Sequence, residues 1–144
     1  MKKIRVWLGF ALLALVLGAC GQKTLSVENA WARPGITGNN SAVYFVINNP
    51  TGTEDVLLSA STPAAEGAEM HMSLMDENGV MQMQQQASVP VPARGEVEFQ
   101  PGSLHVMLIN LPQDLNTGET ISLTLTFQNA GAIELSVPVC RTSC

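Results

Sequence analysis

From Leu25 onward no stretch of the chain holds a helical period. Short apolar or alternating runs follow one another instead, at 25–32, 42–47, 56–60, 97–99, 104–111, 121–127 and 133–139. Between them lie Arg33-Pro34-Gly35, Asn48-Asn49-Pro50, Asn78-Gly79, Pro101-Gly102, Asn116-Thr117-Gly118 and Asn129-Ala130-Gly131, residues that preset or tolerate turn geometry. In 121–127, Ser122, Thr124 and Thr126 alternate with Ile121, Leu123, Leu125 and Phe127, which predicts a strand with one wet and one buried face. Many short strands of this kind predict an all-β sandwich or barrel. With 144 residues, 46% of them hydrophobic, there is enough chain for one core and too little for two ordinary domains.

The N-terminus departs from this pattern. Lys2, Lys3 and Arg5 precede an apolar run at 6–17, too short to span a bilayer comfortably. Leu17-Gly18-Ala19-Cys20 then resembles a bacterial lipobox. The expected division is a lipoprotein signal peptide at 1–19, a linker at 20–26 carrying a lipidated Cys20, a domain at 27–139 and a Cys-containing tail at 140–144. The mature chain is then expected outside the cytoplasm, held at a membrane by acyl chains in the periplasm or at the cell surface, with the outer membrane as one location. That compartment is oxidising. Beyond the first five residues, four basic side chains face twelve acidic ones, a formal −8 that repels phosphate backbones and argues against nucleic acid as a partner.

Two His and seven Met are unevenly spread: Met70, Met72, Met75, Met81 and Met83 surround His71, and the other His lies in Leu104-His105-Val106-Met107-Leu108. A period of two aims His105 and Met107 to one side and Leu104, Val106 and Leu108 to the other. A lone His is most often a hydrogen-bonded core or surface residue, and clustered Met usually packs a core. Here both His have Met neighbours at ligand-like spacing, which points to a metal. Thioether sulfur is a poor ligand for Ca, Mg or Zn and a good one for Cu(I), and it forms no disulfide in an oxidising compartment. A blue-copper site needs a Cys beside its His and Met, and none lies between Cys20 and Cys140.

His71-Met72, ten residues, Met83, twenty-one residues and His105-x-Met107 match the pattern H(M)-x10-M-x21-H-x-M. The chain resembles the PCu(A)C family of bacterial extracytoplasmic copper(I) chaperones. The likeness extends to Ala30-Trp31-Ala32-Arg33-Pro34, Glu69 before His71, Gly79-Val80-Met81, Pro101-Gly102 and Leu123-Thr124-Leu125-Thr126-Phe127. It implies a cupredoxin-like, Greek-key β-sandwich carrying Cu(I) toward the Cu(A) site of cytochrome c oxidase, often beside a Sco-type thiol protein. The implied ligands are His71, Met83, His105 and Met107, with Met72 at the optional position.

Strand alternation refines that set. A regular strand around His71 points Met70 and Met72 away from its face, unless a bulge reorients Met72. Met81 shares a face with Met83 and either lines the site or substitutes for it. Met70 and Met75 are expected to pack rather than bind, and Trp31 is expected in the core rather than shielding a metal. Glu69 falls on the His71 face, as a solvated carboxylate or as a group orienting the imidazole. Cys140-Arg141-Thr142-Ser143-Cys144 has no place in the family pattern. A turn there brings the two Cα atoms within bridging range, so a disulfide is expected, with copper-binding thiols or pairing to another chain as alternatives. No catalytic constellation is evident, so the chain is not expected to be an enzyme. The alternatives to copper delivery are copper sequestration for tolerance and, less favoured, a thiol oxidoreductase using Cys140 and Cys144.

Overall fold

Turn residues cut the described part of the chain, residues 23–144 of a computed structural model, into ten strands. These are β1 (Ser26–Ala32), β2 (Ser41–Asn49), β3 (Asp55–Ser61), β4 (Gly67–Met75), β5 (Met81–Gln85), β6 (Val89–Val91), β7 (Gly95–Phe99), β8 (Leu104–Ile109), β9 (Thr120–Phe127) and β10 (Gly131–Pro138). The expected lipobox and Cys20 lie outside the described residues. One antiparallel sheet runs β1-β2-β8-β4-β5, with β7 also pairing β2, and the other runs β10-β9-β3-β6. The chain crosses between sheets after β2, β3, β5, β6 and β8, so the architecture is the expected all-β, cupredoxin-like sandwich in a single domain.

Alternation places the core between the sheets. Ile121, Leu123, Leu125 and Phe127 of β9 are buried, as are Val43, Phe45 and Ile47 of β2 and Val106 and Leu108 of β8. The Phe45 and Phe99 rings stack at 4.4 Å between centroids. Asp55, at the start of β3, accepts from the backbone N–H groups of Val56, Asn129 and Ala130 at 2.8, 2.9 and 2.8 Å, fastening β3 to the β9–β10 turn. Burial alone would push the Asp55 carboxyl up, but these backbone donors outweigh it and hold it below the usual carboxylate range.

Two irregularities shape the sheet that carries His and Met. In β1 the register shifts by one residue between Glu28 and Trp31, with Asn29 at φ 54°. Asn tolerates this left-handed backbone better than most residues. Simple alternation from Leu25 and Val27 would send Trp31 into the core; the bulge instead sets Trp31 opposite Tyr44 and puts Ala32 in the core. The expectation of a core tryptophan is thus corrected by one extra residue in the strand. The second irregularity is compositional: β4, β5 and β6 contain Met, His, Gln and a Pro where the other strands have apolar runs. Pro90 fits because β6 is a short edge strand.

Candidate metal centre

Strand β4 lies between β8 and β5, so its residues meet a partner on each side, and partners directly opposite share a face. His71 is opposite His105 on β8 and Gln85 on β5. Glu69 is opposite Met107, Ser73 opposite Met83, and Met75 opposite Met81. The register therefore gathers His71, Met83, His105 and Met107 on one face, with the two imidazole centroids 6.0 Å apart. Met83 is diagonal to His71 across one strand pair and Met107 is diagonal across the other. Such diagonal neighbours lie roughly 7–8 Å apart, within reach of a long thioether side chain.

Hydrogen bonds decide which ring nitrogens are free. His105 Nδ1 is 3.0 Å from the Ser103 carbonyl oxygen, which can only accept, so Nδ1 carries the proton and Nε2 keeps its lone pair. His71 Nε2 is 2.9 Å from Glu69 Oε2 and donates to that carboxylate, leaving the lone pair on Nδ1. This Nδ1 is buried and has no hydrogen-bond partner. An unsatisfied buried acceptor costs roughly 1–3 kcal/mol, and native proteins hold few of them. A cation at Nδ1 would satisfy it. Glu69 is thus more than a solvated carboxylate: it sets the tautomer of His71.

Around the imidazoles runs an aromatic row across four strands. Trp31 packs on Tyr44 at 4.7 Å, Tyr44 lies 6.5 Å from His105, and His105 leads to His71. The Arg33 guanidinium sits 5.5 Å from the Tyr44 ring centroid. Burial pushes the Tyr44 phenol up, against the lowering effect of Arg33, so it stays protonated at neutral pH. Asn40 Nδ2–H donates to Met107 Sδ at 3.5 Å and orients that thioether. Tyr44, Asn40 and Gln85 were not singled out from the sequence. Alternation with Val43, Phe45 and Ile47 does assign Tyr44 to the face away from the core, but only the pairing of strands reveals what stands beside it.

An open cleft of about 550 Å³ is lined by Tyr44, Ser73, Met81, Met83, His105 and Met107 among others. His105 is only 5% exposed whereas Met83, on the edge strand β5, is 64% exposed, so the site is buried at one end and open at the other. Met81 is in the cleft beside Met83. Met70 is in the core at 4% exposure, and Met72 shares its side of β4, with Ser103 Oγ 3.9 Å from its sulfur. The register is continuous from Gly67 to Met72, so the bulge needed to turn Met72 toward His71 is not there. Met75 does not pack as expected; it is 68% exposed.

Among the described residues no three or more His, Cys, Asp or Glu side chains gather as a metal site; the soft side chains that share the face of the imidazole pair are the Met83 and Met107 thioethers. That set fits a soft monovalent ion such as Cu(I). Cys140 and Cys144 are joined as a disulfide with Cα atoms 5.9 Å apart, and the Cys140 N–H donates to the Ala32 carbonyl at 2.9 Å. In this form neither sulfur is a thiolate.

Residues 25–139 match the LpqE-like lipoprotein family. The lipoprotein Lxx21020 of Leifsonia xyli subsp. xyli is 31% identical over 116 residues, covering 80% of this chain and 69% of that protein. Among solved structures, the copper-bound PCuAC domain from PmoF2 superposes with a TM-score of 0.67 at 20% identity, covering 81% of this chain and 92% of that one. The Cu(I) form of DR1885 from Deinococcus radiodurans superposes with a TM-score of 0.62 at 25% identity, covering 85% and 83%.

Proposed function

We propose that this chain, which belongs to the LpqE-like family, binds one Cu(I) ion outside the cytoplasm through His71, Met83, His105 and Met107 and hands it to an acceptor protein. The observation that carries this is the buried, unpartnered Nδ1 of His71, in a ring whose centroid is 6.0 Å from that of a second imidazole, on a sheet face whose other soft donors are thioethers. The Cu(I) form of DR1885 and the copper-bound PmoF2 domain, which share the fold, add support. The 64% exposure of Met83 favours delivery over sequestration, because an acceptor's ligand can displace an open thioether first. By the PCu(A)C resemblance, that acceptor is the Cu(A)-bearing subunit of cytochrome c oxidase or a Sco-type protein. A lipid on Cys20 would hold the domain at the membrane where such an acceptor sits. The ion's charge state does not change in the transfer; one set of lone pairs replaces another.

Anaerobic Cu(I) titration against a competing chelator tests the assignment. Wild type should bind one ion tightly, His71→Ala/His105→Ala should lose it, and Cys140→Ser/Cys144→Ser should retain it. Loss of binding with the cysteines, or equal competition by Zn(II), would overturn the ligand set.

A further inference from the structure

We propose that the β4–β5 hairpin carries a second, weaker Cu(I) site made only of the Met75, Met81 and Met83 thioethers, from which the ion passes to the His71–His105 pair. It rests on the copper function of the main site and gives that site its loading route. Met75 and Met81 are directly opposite in the register, and Met83 follows Met81 by two on the same face. Opposite Cβ atoms lie about 4.5–5.5 Å apart and diagonal neighbours roughly 7–8 Å, so three unbranched side chains can converge on one ion.

Packing does not explain these residues, since Met75, Met81 and Met83 are 68%, 52% and 64% exposed. The three share one face of the hairpin and leave apolar side chains open to solvent there, a feature that usually marks a binding surface. A separate observation connects them to the imidazoles: Met81 and Met83 line the same cleft as His105 and Met107. Met83 therefore belongs to both ligand sets. An ion held by the three sulfurs keeps Met83 while imidazole nitrogen and Met107 replace Met75 and Met81. Copper stays Cu(I) throughout, no proton moves, and the unpartnered Nδ1 of His71 favours the inward direction.

The test uses Ag(I), a soft closed-shell stand-in for Cu(I), titrated into the whole chain in detergent with 13C-labelled Met methyls. In His71→Ala/His105→Ala the Met75, Met81 and Met83 methyl signals should shift together and saturate, while Met70 and Met72 stay still. Unmoved Met75 and Met81 signals would overturn the hairpin site. Should that variant fail to fold, Met75→Leu gives a second measure: Cu(I) uptake from a weak donor complex should slow by about fivefold or more with the equilibrium affinity retained. An unchanged uptake rate would overturn the proposal. Tight binding of one Cu(I) by wild type with a silent hairpin refutes this site alone, whereas absence of tight binding refutes the main site.

Discussion

Replacing Glu69 by Ala removes the group that holds the His71 ring, and the structure sets the size of the effect. The Glu69 carboxylate accepts from His71 Nε2–H at 2.9 Å, which keeps the lone pair on Nδ1. Without it the proton is free to move to Nδ1, and the ring can turn. Loss of such an orienting partner typically lowers metal affinity about 10–100-fold, which corresponds to roughly 1.4–2.7 kcal/mol. The protein itself should barely notice, because the Glu69 side chain is 38% exposed and a water-screened pair contributes at most about 1 kcal/mol to folding. Glu69→Gln keeps a carbonyl oxygen able to accept the same bond, so most of the affinity should return. Chelator competition under anaerobic conditions measures the affinities, and 15N shifts of the metal-free imidazoles report the tautomer. Unchanged affinity in Glu69→Ala, or a metal-free His71 protonated at Nδ1, would refute the reasoning. A loss equal to that of His71→Ala would mean that the carboxylate itself ligates.

Met83→Ala should weaken Cu(I) binding by at least about tenfold, whereas Met72→Ala, on the other side of β4, should leave affinity nearly unchanged and lower stability by about 1 kcal/mol; chelator competition and urea unfolding separate the two. Asp55→Ala takes the charged acceptor from three part-buried backbone N–H bonds and should cost on the order of 1–3 kcal/mol in urea unfolding at neutral pH. Because the folded Asp55 carboxyl is held low, its contribution is complete above the ordinary carboxylate value of about 3.9 and is lost as pH falls through the folded value. Unfolding of Asp55→Asn should therefore lack that acid-side loss; an identical acid limb in both proteins would count against it. Phe99→Ala, removing one ring of the buried stack with Phe45, should destabilise by about 3–5 kcal/mol in thermal or urea unfolding.

By itself the sequence determined what is local. Alternation in Ile121, Leu123, Leu125 and Phe127 marked β9 and its buried face, and alternation around His105 aimed that imidazole and Met107 the same way, as the structure has them. It also determined the chemistry, because imidazole and thioether are properties of residue types and not of their arrangement. Strands β4 and β5 were not legible as apolar runs, since Met, His and Gln carry no β-branched signature and are held extended by the neighbours they pair with, and β6 is only three residues with Pro90 at its centre. Nor could period two locate Trp31, because the bulge at Asn29 inserts one residue and a single insertion reverses every face beyond it. Only tertiary structure set His71 opposite His105, turned Tyr44 toward them, and left one ring nitrogen buried without a partner. Strand pairing joins residues far apart in the chain, and it is chosen by burying Val43, Val106 and Met70 together in a core on the opposite side of the sheet from the site.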